Sequence, residues 1–229
     1  VYGVTDRPKA DPQSRVNTFV HVNHAPGKPR YGILLCINGT GIMNSWMRRH
    51  VVQQKLDYGA MNRLAATAPV GADGVVVLPF GNGAERVLGN CTTGAAILNL
   101  DLNRHTTAHL LRAAQEGIAC SFRYGIDIMR TLSLRPDVIR AGAANLFLSP
   151  LFRQTLSTLT GARIELFNTD GALGAARGAA LGAGYYRTRG EAFASLRRLE
   201  TIEPVEADRE ALETTYRAWK AAVDMKLNK

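Results

Sequence analysis

The chain has 229 residues, 46% hydrophobic and 21% charged, a globular composition with enough apolar surface for a sizeable core. No apolar run of about 18 residues occurs, which argues against a transmembrane helix, and the opening VYGVTDRPKADPQSR has no apolar secretory segment. The formal charge of +9 invites an anionic partner, yet the basic residues (Arg48, Arg49, Arg104, Arg123 and others) are scattered without an aromatic-interleaved stripe, which favours a solvated surface over nucleic-acid binding.

Residues 15–23 (RVNTFVHVN) alternate apolar Val16, Val20 and Val22 with polar neighbours, and 31–37 (YGILLCI) form a continuous apolar run. The link HAPGKPR, with Pro26, Gly27 and Pro29, predicts an antiparallel pair. A helix follows the NGTG glycines over 43–54, and a weaker one spans 58–68 before Pro69. Residues 75–79 (VVVLP) predict a short buried strand, 80–93 a long Gly- and Asn-rich loop, and 95–100 another short apolar run. The strongest helix covers 106–133. There Leu110, Ala114, Ile118, Phe122, Ile126 and Met129 recur at helical steps, predicting one buried stripe, and Thr106 or Thr107 can cap the start.

Strand–loop–helix units follow. Residues 138–141 are a strand and 142–148 a loop; Ser149 then caps a helix that Pro150 opens, running over 151–160 and stopping at Gly161. Residues 163–167 (RIELF) are a strand, 172–183 an Ala/Gly-rich helix, and 207–227 a last helix with Leu212, Tyr216, Trp219 and Val223 on one face. This alternation predicts α/β layers with parallel strands, and the antiparallel start makes the sheet mixed.

Three glycine-bearing loops offer chemistry. In IRAGAAN (139–145), Gly142 follows a buried strand and precedes a helix, where a residue without Cβ lets a ligand reach the backbone; a strand-to-helix turn also needs glycine for steric reasons alone. In TDGALGAARGA (169–179), a helix almost free of side-chain bulk loses about 1 kcal/mol of stability per Gly relative to Ala, which close packing or a flat ligand must offset. In FGNGAERV (80–87), Glu85 and Arg86 follow a strand and read either as a surface ion pair or as charges near a ligand. Cys36, Cys91 and Cys120 are far apart and form no CxxC pair, fitting plain thiols in a reducing, cytoplasmic setting. The five histidines show no metal spacing.

Taken together and in this order, these segments resemble the C-terminal part of the FGGY carbohydrate kinases over nearly the whole chain, with a pattern of the xylulokinase type. VVVLPFGNGAERV is similar to the family's strand and GERtP loop through Gly83, Glu85 and Arg86. His109, Leu110, Ala113, Ala114 and Glu116 fit the family's HLxxAxxE signature, while Asn99 stands where Gly is usual and Gln115 where an apolar residue is usual. RAGAAN resembles the adenosine loop, with Ala141 in place of a glycine, and TDGALGAARGA resembles the ALGAA segment.

The resemblance implies an α/β ribonuclease H/actin-like ATPase fold. Residues 1–229 would be its C-terminal, nucleotide-binding lobe, with a mixed central sheet flanked by helices. It implies ATP and Mg²⁺ as cofactors and a pentulose, D-xylulose first, as the phosphate acceptor held by the other lobe. Gly142, Ala143, Ala144, Asn145, Asp170, Gly171 and Gly174 would lie against the nucleotide, with Gly83, Glu85 and Arg86 stabilising the cleft. The general-base Asp and the GTSG phosphate loop are expected upstream of Val1, in an N-terminal sugar-binding lobe, which leaves no catalytic residue and no metal ligand in this chain. NGTG (38–41) invites comparison with GTSG but follows the hairpin, and is read as a strand-to-helix turn. The partners expected are the other lobe, ATP and the pentulose, with no nucleic acid and no membrane; a homodimer is left open. Two other readings stay open: a non-catalytic actin-like ATP-binding or regulatory module, and a basic nucleic-acid-binding protein.

Overall fold

The computed structural model describes residues 2–228. The antiparallel pair around HAPGKPR is present as β2 (Asn17–Val20) and β3 (Tyr31–Leu34). A strand absent from the sequence reading, β1 (Tyr2–Thr5), pairs with the other side of β3, giving the order β1-β3-β2. The alternation over 15–23 does not mark an inward face: Val16 is buried just before β2, but Val20 and Val22 are exposed. β2 is an edge strand, and beyond it the chain closes on itself through Ala25 and Lys28 instead of on the core.

After β3 come α1 (Thr40–Trp46), a wider helical turn over Met47–Val51, and α2 (Tyr58–Ala65), whose Asp57 cap accepts the Ala60 amide. Next, β4 (Val76–Leu78) is wholly buried and pairs antiparallel with β5 (Ala96–Leu98). The long helix α3 (Thr107–Thr131) starts at the predicted Thr106 cap, where the His109 side chain closes a reciprocal capping box.

A single buried stripe is too narrow a description of α3, because every residue from 111 to 121 is buried. The helix runs through the interior, packed by α2, β4 and α4 (Pro150–Thr160) from different sides. Two glycines let it sit there. A Cβ on Gly117 would lie 2.0 Å from the Val77 carbonyl oxygen, and one on Gly125 would lie 1.8 Å from Leu35 Cδ2. One oxygen of the buried Glu116 is well supplied: Arg112 Nε donates to Oε1 (2.7 Å), and the Gly71 amide donates to the same oxygen (3.0 Å), while Oε2 has no partner among the described residues. Burial pushes the Glu116 carboxyl up, and Arg112 pulls it back.

In the second half, β6 (Val138–Gly142) runs parallel to β7 (Arg163–Phe167), as the alternating pattern predicts. Ser149 caps α4 by accepting the Phe152 amide, Pro150 opens the helix, and Gly161 ends it at φ +71°. β7 leads to α5 (Gly171–Gly182), then α6 (Arg189–Ala192), β8 (Arg198–Ile202) and α7 (Arg209–Leu227). β8 lies antiparallel on β7 and makes that sheet mixed. The sequence predicts no element between 183 and 207; four of the five β8 side chains face solvent, so no period-two signal exists there. α7 turns Leu212, Tyr216, Trp219 and Val223 inward as expected, and the Trp219 indole N–H donates to the Val77 carbonyl (3.1 Å).

The expected α/β architecture, with a mixed sheet and flanking helices, is therefore present; its strands are hydrogen-bonded in three groups. Among the described residues, no helix is long and apolar enough to cross a membrane.

Candidate functional site

Gly142 ends β6 where two turns meet. A Cβ there would lie 2.2 Å from the Thr169 carbonyl oxygen, so main-chain packing already demands glycine. The next two amides are taken up within the chain: Ala143 donates to the Phe167 carbonyl and Ala144 to the Gly142 carbonyl, both at 2.8 Å. Asn145 is different. It is exposed and held at φ +53°, a left-handed conformation that Asn tolerates better than most residues.

At the facing turn, the Asp170 carboxylate accepts the Leu173 amide (2.7 Å) and caps α5. Arg177, buried on α5, holds this turn by donating to Thr169 Oγ1 and Ser195 Oγ, each at 3.1 Å. Gly171 and Gly174 are exposed, and a Cβ on either would meet nothing within 4 Å.

In the third loop Gly83 takes φ +84° in open space. The two charges beside it do not form the surface pair that adjacency suggests. Arg86 Nε donates to the Ser14 carbonyl (2.8 Å). Glu85 is fully buried, its Oε2 accepting the Asn38 amide and its Oε1 the Gly39 amide, both at 3.0 Å. Burial raises its carboxyl above the usual range, while the two amides pull it down. The Asn38 side chain completes the contact by donating to the Ala84 carbonyl (2.9 Å).

Beyond this turn lies a cavity of about 570 Å³. Thr40, Gly41 and Asn44 of α1 form one wall, Tyr58 and Asn62 of α2 another, and residues 145–149 a third. A buried relay ties the walls together: Ser149 Oγ donates to Gln115 Oε1 (2.6 Å), and Gln115 Nε2 donates to Asn62 Oδ1 (2.9 Å). The lining mixes neutral polar groups with Tyr58 and three phenylalanines and includes no charged side chain. Its size and character suit a small organic ligand.

Of the residues expected at the nucleotide, Asn145 lines this cavity. Gly142 lines a second cavity of about 720 Å³ bounded by β1 and β6. Ala143, Ala144, Asp170, Gly171 and Gly174 line neither. The sequence reading missed Thr40, Gly41, Asn44, Tyr58 and Asn62; the signal available was NGTG, taken as a plain turn.

A model of the FGGY family of carbohydrate kinases, C-terminal domain, matches residues 2–186. The chain belongs to this family. Over 138 residues it is 36% identical to a xylulose kinase of Haemophilus influenzae, an overlap of 59% of this chain and 27% of the relative. The solved xylulose kinase of Rhodospirillum rubrum is 26% identical, with a TM-score of 0.79 over 98% of this chain and 44% of that one. A Plasmodium falciparum glycerol kinase solved with ADP shares the fold at 19% identity, with a TM-score of 0.78 over 99% of this chain and 45% of that one. The chain thus spans less than half the length of these proteins. Helix α7 lies beyond the residues matched by the family model yet supplies the buried Trp219.

Proposed function

We propose that residues 1–229 form the nucleotide-binding lobe of a two-lobe, ATP-dependent sugar kinase, xylulokinase-like in acceptor, working in the cytoplasm with a sugar-binding lobe. The observation that carries this reading is the neutral, partly aromatic cavity between the start of α1 and Asn145. Its aromatic and aliphatic groups suit the flat face of an adenine base, and its amides and hydroxyls suit ribose. A carboxylate-free lining spares a phosphorylated ligand from repulsion. The fold shared with a glycerol kinase solved with ADP supports the choice of nucleotide, and identity to a xylulose kinase supports the choice of acceptor.

Thr40, Gly41, Tyr58, Asn62 and Asn145 would hold the nucleoside of ATP, which would supply the phosphoryl group, and Mg²⁺ arriving with it would offset the phosphate charge. Among the described residues, no group of three or more His, Cys, Asp or Glu is placed to hold a metal ion. In this reading the chain binds and orients the nucleoside, and the resemblance assigns the proton-accepting carboxylate to the sugar-binding lobe.

Calorimetry on the purified chain with ADP, ATP and a mixed-sequence DNA oligonucleotide tests the reading. Saturable heat is expected for ADP and ATP, with dissociation constants of about 1 mM or tighter, and none for the oligonucleotide. The opposite pattern would overturn it in favour of the nucleic-acid alternative. Phosphorylation of D-xylulose by this chain alone would contradict the assignment of the base to another lobe.

A further inference from the structure

A buried carboxylate without a cationic partner is costly, and chains retain one only where its oxygens are occupied. Glu85 is such a group: it is 0% exposed, and no Lys, Arg or His among the described residues forms an ion pair with it. Its two oxygens each take one amide of a single dipeptide, Asn38–Gly39, at 3.0 Å. The contact spans 46 and 47 residues of sequence, so it is not a local cap.

Both sides of the contact are fixed. The Glu85 amide donates to the Cys91 carbonyl (3.0 Å), and the Glu85 carbonyl accepts the Asn90 amide (2.9 Å), closing a tight loop that Gly89 and Asn90 turn at φ +67° and +64°. Gly39 is pressed so closely on the next strand's end that a Cβ would fall 1.7 Å from the Pro79 carbonyl oxygen. Directly after this immobilised dipeptide, Thr40 and Gly41 form a wall of the 570 Å³ cavity.

We infer that Glu85 is a positioning residue of the nucleotide pocket: its carboxylate locks the Asn38–Gly39 amides and thereby sets where Thr40 and Gly41 stand against the bound nucleotide. The inference rests on the nucleotide reading above. It differs from a general cleft-stabilising role in naming the dipeptide held and the wall it places. Glutamine at 85 retains one acceptor oxygen but turns an NH₂ group toward the second amide, so one bond becomes a donor–donor clash. Aspartate keeps the charge but is a methylene shorter and cannot span both amides.

The test combines Glu85→Gln and Glu85→Asp with three readouts on the full 229-residue chain: urea midpoint, amide hydrogen exchange, and the calorimetric dissociation constant for ADP. Both variants are expected to hold the α3 amides at wild-type protection, to speed exchange at Asn38 and Gly39 about ten-fold or more, and to weaken ADP binding about ten-fold, the scale of one charge-assisted hydrogen bond. A merely structural glutamate would lower the midpoint and leave ADP affinity of the folded fraction unchanged. Loosened amides with unchanged ADP affinity, or weakened affinity with unchanged exchange, would overturn the inference alone. Failure of the wild-type chain to bind ADP would overturn the nucleotide reading and the inference with it, a result distinguishable because it needs no variant. If neither variant folds, exchange in the wild-type chain decides: rapid exchange at Asn38 and Gly39 refutes the lock, and slowed exchange at Thr40 and Gly41 on adding ADP supports it.

Discussion

Helices α3 and α5 both carry glycines at helix-interior positions, and the two uses are opposite. In α3, Gly117 and Gly125 stand where a single added carbon would collide with the Val77 carbonyl or Leu35. In α5, a Cβ on Gly171, Gly174, Gly178 or Gly182 would meet nothing within 4 Å. Glycine in a helix interior sacrifices about 1 kcal/mol relative to alanine. In α3 that loss is offset by a close approach to β4 at Gly117 and to Leu35, just past β3, at Gly125. Among the described residues, no close approach at the α5 glycines offsets it. A glycine within a helix therefore says nothing about its cause until its neighbours are known.

Substitutions sharpen this contrast, and their effects should fall in a definite order. Gly117→Ala is expected to cost the most, about 3 kcal/mol or more, because the obstacle is backbone that cannot step aside; chemical denaturation would read it. Gly125→Ala should cost less, about 1–2 kcal/mol, since the obstructing atom is the tip of a leucine side chain. Gly178→Ala should have the reverse sign, raising stability by about 0.5–1 kcal/mol through better helix propensity and a less flexible unfolded chain. A destabilising Gly178→Ala would break the comparison by showing that α5 has a close neighbour in solution.

What was legible in the sequence was what local chemistry decides. Ser149, Pro150 and Gly161 announced the start, first turn and end of α4, and Thr106 announced α3, because caps act within one turn. Asn99, where the family resemblance leads to an expected glycine, takes φ +62°, a left-handed conformation that asparagine accepts better than most residues. β1 and β8 were missed because both are largely solvent-facing and owe their extension to partners far along the chain, β1 to β3 and β8 to β7.

The candidate site was harder to read for the same reason. Gly142 admits two readings, ligand approach and the steric need of the turn, and its missing Cβ makes room for Thr169 as the second requires. Glu85 was singled out beside Arg86, yet it answers to Asn38 and Gly39. Gln115, where the resemblance leads to an expected apolar residue, bridges Asn62 and Ser149 behind the cavity. Motif spacing does not tell what each residue faces, because those contacts bridge 27 to 53 residues of chain.

The most direct test is to map ADP onto the ¹⁵N-labelled chain by its effect on individual backbone amides. Saturable shifts centred on Thr40, Gly41, Asn62 and Asn145, with the α5 amides of Gly174 and Gly178 unmoved, are the result predicted. Saturable binding whose shifts fall on α5 or the β1–β6 cavity, leaving Thr40 and Asn145 untouched, would contradict the placement of the nucleotide.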